Sequence, residues 1–91
     1  MIAKRVIFSG RVQGVGFRYA TKEIATGFDV VGSVRNLPDG TVALEIMGET
    51  GEVEDYLAEI ITESPVSHFI KETHLEEIPL LENASGFRIT R

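Results

Sequence analysis

The chain is 91 residues long and carries 14 acidic against 9 basic side chains, a net charge of −5 that disfavours diffuse attraction to nucleic acid or an anionic membrane. No run approaches the roughly 18 apolar residues of a membrane helix, and the apolar stretch after Lys4 and Arg5 ends at Ser9, too short to predict a secretory leader. With no cysteine there is no disulfide, thiolate nucleophile or cysteine-bound metal, which accords with a cytoplasmic protein.

Hydrophobic residues make up 43% of the sequence and charged residues 25%, ordinary values for one globular domain spanning 1–91. Residues 2–9 alternate loosely, which predicts a first strand ending at Gly10. Apolar residues at Phe17, Ala20, Ile24 and Phe28 have helical spacing, so a first helix is expected over about 17–26, with Gly27 as its stop. Residues 30–36 are β-rich, with Val30, Gly32 and Val34 on one face. Leu37-Pro38-Asp39-Gly40 then reads as a tight turn, because proline presets φ and glycine accepts φ > 0. Residues 41–47 alternate cleanly through Val42, Leu44 and Ile46, so the second and third strands form a hairpin.

Val53, Tyr56, Leu57, Ile60 and Ile61 fall at i, i+3, i+4, i+7 and i+8, the clearest amphipathic helix in the chain. Thr50 is its expected N-cap, and Pro65 ends it by forcing Ser64 out of the helical region. A fourth strand is expected within 67–77, where Phe69 and Ile70 compete for the core. Residues 80–85 read as a polar connection to a short terminal strand, Phe87-Arg88-Ile89-Thr90. The order β-α-β-β-α-β predicts the α+β class and a ferredoxin-like split β-α-β sandwich. In it an antiparallel four-stranded sheet, with strands one and three central, carries two helices on one face and a short C-terminal strand.

The chemistry concentrates between the first strand and the first helix, where Gly10, Gly14 and Gly16 are followed by Arg18. A glycine-spaced turn from strand to helix lets consecutive backbone N–H groups point into one concavity. The helix N-terminus adds unpaired donors and a partial positive charge, and Arg18 in its first turn adds a planar fork matched to phosphate. A phosphate-sized anion fits that pattern, although glycine at such a turn also serves backbone reasons alone. The spacing is not the dinucleotide fingerprint, since Tyr19 stands where the third glycine belongs. It is not a P-loop either, since no Gly-Lys-Ser/Thr follows.

Other polar residues carry less. His68 and His74, six apart in an expected strand, would lie on one face about 20 Å from end to end, too far for one metal. Glu52, Glu54, Asp55, Glu59 and Glu63 read as the solvated face and first-turn dipole partners of the second helix. Asn36 ends the second strand. It either caps the adjacent turn, as Asp39 would do, or faces the glycine crevice and holds a water beside a bound phosphate.

Residues 10–21 read G-R-V-Q-G-V-G-F-R-Y-A-T, and Gly32, Val34, Asn36, Asp39 and Gly40 give G-x-V-x-N-x-x-D-G. In both motifs, and in length, element order and the terminal Phe87-Arg88-Ile89, the chain resembles the acylphosphatase family, whose first motif is G-R-V-Q-G-V-x-F-R-x-x-T. It departs from the family after the second helix, where Glu63-Ser64-Pro65-Val66 replaces a Gly-Pro-Pro-type turn. The resemblance implies hydrolysis of acyl phosphates, mixed anhydrides of a carboxylic and a phosphoric acid. It makes Arg18 the phosphate-binding arginine and Asn36 the residue that orients the attacking water. Backbone N–H groups of Gln13, Gly14, Val15, Gly16, Phe17 and Arg18 would form the cradle, with neither metal nor other cofactor.

A carboxylate leaving group needs no strong general acid, so positioning and charge stabilisation suffice. The expected partner is therefore a small-molecule acyl phosphate, with no nucleic acid or membrane, and the protein is expected to be a monomer. Rival readings are an acylphosphatase-like domain binding phosphate or carbamoyl phosphate within a larger maturation enzyme, against which a free-standing chain beginning at Met1 argues, and a non-catalytic regulatory domain. RNA recognition on the same topology would need aromatic and basic residues on the central strands, and residues 41–47 carry none.

Overall fold

Apolar side chains on alternate positions give each central strand one buried face. Val6 and Phe8 on the first strand and Val42, Leu44 and Ile46 on the third are all fully or almost fully buried. The structure is a computed structural model and describes residues 1–91. Its elements are β1 (Ile2–Gly10), α1 (Phe17–Ala25), β2 (Val30–Asn36), β3 (Val42–Gly48), α2 (Thr50–Ala58), β4 (Ile70–Ile78) and β5 (Phe87–Thr90). Strands β1 and β3 are central neighbours in register, with Val6 opposite Leu44 and Phe8 opposite Val42. Both helices lie on one face of the sheet, and one apolar cluster fills the space between them. Phe8 and Phe17 meet in that cluster with ring centroids 5.0 Å apart.

The sheet has five strands rather than four, in the order β4-β1-β3-β2-β5. β5 does not end the chain as an appendage. It pairs with β2 in parallel, placing Phe87 beside Gly32 and Ile89 beside Val34, so the sheet is not wholly antiparallel. Since β4 and β5 occupy opposite edges, residues 79–86 cross from one side of the sheet to the other.

Several boundaries also differ from expectation. α1 ends at Ala25 with Thr26 as its C-cap, and Gly27 follows directly as expected but without a left-handed φ, its N–H bonding to the Ile24 carbonyl at 3.0 Å. The buried stripe of α1 is Phe17, Thr21 and Ala25, with Ala20, Ile24 and Phe28 packed at its margin. Thr50 opens α2 instead of capping it: Glu49 is the N-cap and makes no side-chain bond. After Ala58 the helix widens into a π turn, Glu59–Glu63, before Ser64 becomes extended ahead of Pro65. His68 lies in a 3-10 turn, Ser67–Phe69, outside β4, so the two histidines share no strand. Phe69 and Ile70 are both only partly buried.

Tyr56 ties the helices together. Its ring is fully buried, and its hydroxyl donates to the Thr21 carbonyl at 2.9 Å, while burial pushes its pKa above the ordinary phenol value. The Thr21 hydroxyl in turn donates to the Arg18 carbonyl at 2.8 Å, so the first turn of α1 is held through α2. No helix is long and apolar enough to cross a membrane.

Candidate functional site

The chain leaves β1 at Gly10 and bends at Arg11 and again through residues 13–16 before α1 begins, with Gly14 at φ 77° and Gly16 at φ 80°. Residues other than glycine rarely hold these left-handed angles, and a Cβ at either position would project into open space. The resulting loop leaves its backbone donors free. None of the N–H groups of residues 13–19 finds an acceptor in the protein; the first helical bond at this end runs from Ala20 N–H to the Gly16 carbonyl at 3.0 Å. Gly16 caps α1 without any side-chain bond, and no acid stands in the first turn. Unpaired donors, a helix N-terminus and a basic side chain thus converge, the arrangement that takes an anion.

A cavity of about 160 Å³ opens there, lined by Val12, Gly14, Gly16, Phe17, Arg18, Tyr19, Asn36 and Ile89. Arg18 is half-buried and forms no ion pair with any acid of the chain. Asn36 reaches the same cavity from the end of β2. Its Oδ1 is buried with no hydrogen-bond partner, the one such side-chain atom in the protein. A buried amide oxygen left unpaired costs on the order of 1–3 kcal/mol, so its position calls for a donor such as a water or ligand hydroxyl. The turn-capping role belongs to Asp39 instead. Its Oδ1 accepts the Thr41 N–H at 3.0 Å and the Thr41 hydroxyl at 2.6 Å, and these bonds lower its pKa.

The structure brings Arg18 and Asn36 to one cavity together with Gly14, Gly16 and Phe17. The side chains of Gln13 and Val15 do not line it, and any part these residues play there is through their N–H groups. Val15 packs against the core. Gln13 does something the sequence did not announce: its Nε2 donates to the carbonyls of Leu37 and Thr41, each at 2.8 Å. That double anchor fastens the glycine loop to the hairpin turn that follows Asn36, so cradle and amide are held as one unit. Tyr19 and Ile89 at the cavity were also missed; the exposed aromatic beside Arg18 was the available signal for the first. The acids of α2 lie elsewhere, on its solvated face, and no cluster of His, Asp and Glu has metal-binding geometry.

A split β-α-β sandwich with a row of unpaired N–H groups at its β1–α1 turn defines a small α+β domain of the ferredoxin-like class. Comparison with known proteins gives its family. The acylphosphatase family model matches residues 4–89. The chain is 37% identical over 92 residues to the acylphosphatase of Lacticaseibacillus paracasei, covering 98% of this chain and 96% of that one. It superposes on the crystal structure of acylphosphatase from Bacillus subtilis with a TM-score of 0.89 and 32% identity over 100% of both chains. It also matches T. kodakarensis HypF with a TM-score of 0.85 and 26% identity, over 100% of this chain but only 12% of that one. The chain belongs to the acylphosphatase family.

Proposed function

We propose that this chain hydrolyses acyl phosphates by direct attack of a water held by Asn36 on a phosphoryl group held by Arg18 and the backbone N–H groups of residues 13–18. Its family makes it a hydrolase acting on acid anhydrides with a small phosphorylated substrate; the proposal concerns which atoms do the work. The observation that carries it is the orphaned Asn36 Oδ1 in the same cavity as an unpaired Arg18 and a row of unbonded N–H groups. Arg18 and the N–H groups bind the equatorial phosphoryl oxygens and stabilise charge there. An oxygen acceptor at Asn36 takes one O–H of the water and leaves the water's lone pair free for phosphorus. The new bond joins water oxygen to phosphorus, and the bond from phosphorus to the acyl oxygen breaks. The carboxylate departs with the electron pair, and the water's proton passes to a phosphoryl oxygen.

In this reading residues 1–91 act as one domain, as a monomer in the cytoplasm, without metal, other cofactor or nucleic-acid partner; the net charge of −5 supports the last point. The test is phosphate release from acetyl phosphate before and after exhaustive EDTA treatment, with turnover expected in both. Loss on chelation that Mg²⁺ or Zn²⁺ restores would overturn metal independence. A second reading rests on the match to part of HypF: this chain would hold phosphate or carbamoyl phosphate as a domain of a larger enzyme. It predicts binding of inorganic phosphate without turnover by this chain.

A further inference from the structure

An acyl phosphate has two ends, and the cradle answers only one of them. Five large hydrophobic residues are exposed: Met1, Tyr19, Leu75, Leu80 and Ile89. Single exposed apolar residues are ordinary on protein surfaces, and Met1, Leu75 and Leu80 border no cavity. Tyr19, 67% exposed, and Ile89, 39% exposed, both border the cradle cavity. They are carried by the elements that carry the polar site. Tyr19 follows Arg18 in the first turn of α1, and Ile89 stands beside Val34, two residues before Asn36 on β2. β5 reaches that position only because it joins the sheet in parallel next to β2.

We propose that Tyr19 and Ile89 form an acyl-binding shelf at the mouth of the cradle, and that it favours acyl phosphates with an aromatic or bulky apolar acyl group. This rests on the phosphoryl group occupying the cradle as described above. With the phosphoryl oxygens against the N–H groups and Arg18, the acyl group leaves the polar half of the cavity across the two apolar side chains at its rim. An aryl group stacks on the Tyr19 ring and covers Ile89, and apolar area on both partners leaves water. An acetyl group is too short to cover either. The contact is equal in ground and transition states, so it lowers KM and leaves the chemical step alone.

The test compares acetyl phosphate with benzoyl phosphate in wild type, Tyr19→Ala, Tyr19→Phe and Ile89→Ser. Wild type is expected to show the lower KM for benzoyl phosphate. Tyr19→Ala raises the benzoyl-to-acetyl KM ratio about tenfold, Ile89→Ser raises it about threefold, and Tyr19→Phe keeps it because the ring remains. Inhibition by inorganic phosphate, which has no acyl group, moves less than about twofold in each variant. A ratio unmoved by Tyr19→Ala overturns the shelf while leaving the cradle standing. Failure of wild type to release phosphate from either substrate overturns the underlying reading instead. Calorimetry with phenylphosphonate and methylphosphonate then still decides the shelf, since neither is turned over: the phenyl compound should bind wild type more tightly, and Tyr19→Ala should equalise the two. Equal binding to wild type would overturn it.

Discussion

The N-termini of the two helices are opposite solutions to one electrostatic problem. Each end presents unpaired N–H groups and a partial positive charge that negative charge stabilises. At α2 the sequence supplies that charge: Glu49 is the N-cap, and Glu52 in the first turn accepts the Asp29 N–H at 2.7 Å. At α1 it supplies none. The cap is Gly16, the first turn holds no acid, and Arg18 stands where the dipole disfavours a cation. In a chain with 14 acids, an end kept clear of acids and loaded with an arginine is poised for an anion from outside. Helix propensity and capping rules explain α2 without reference to function; α1 breaks them, and the break coincides with the proposed site.

The largest expected effect comes from abolishing the excess charge at α1. Arg18→Ala should lower kcat/KM by about 10³ or more, because several charge-assisted bonds disappear together. Arg18→Lys should recover little, since a point charge cannot form the fork. A folded alanine variant with near wild-type kcat/KM would show that the uncapped end is merely tolerated. Next is Asn36→Ala, expected to drop kcat on the order of 10² while inhibition by inorganic phosphate barely changes, since its partner is the water. Lower thermal stability with activity kept would instead reduce Asn36 to a turn residue.

Gln13→Ala removes two bonds from a part-buried amide. It should cut kcat/KM about tenfold and lower stability by about 1–3 kcal/mol, measured by kinetics and denaturant melts on the same variant. Wild-type kinetics with reduced stability would make the anchor structural only. The smallest effects come from making the two helices alike. Tyr19→Glu, which gives α1 a first-turn acid, should weaken inorganic phosphate inhibition about threefold. Glu52→Gln, which strips α2 of one, should leave kinetics alone and cost about 0.5 kcal/mol. Equal kinetic effects from both would erase the distinction between the ends.

Much of this was legible in the chain itself. The hairpin and its Asp39 turn, the apolar stripe of α2 and the glycine-to-Arg18 run all rest on neighbours close in sequence, where spacing maps directly onto geometry. What failed were features decided by competition between segments. Four residues of alternating character, 87–90, predict a strand but not its partner, because either sheet edge offers the same unpaired groups. Thr50 has the chemistry of an N-cap, yet the helix starts one residue earlier, with Glu49 as its N-cap. His68 falls in a turn because the Phe69 N–H closes back on the Val66 carbonyl at 3.1 Å, and β4 begins only at Ile70, opposite Gly10.

The sequence by itself determined the element order, the buried faces of β3 and α2, and a cradle whose glycines and arginine are close neighbours in the chain. Only the tertiary structure decided that Asn36, eighteen residues beyond Arg18, faces the same cavity with an unpaired Oδ1, that Gln13 ties loop to hairpin, and that parallel pairing of β5 brings Ile89 to the rim. The reason is physical. Backbone conformation and amphipathicity are set by residues within a few positions of one another, whereas a site made from α1, β2 and β5 exists only once one shared core has fixed where those three elements lie.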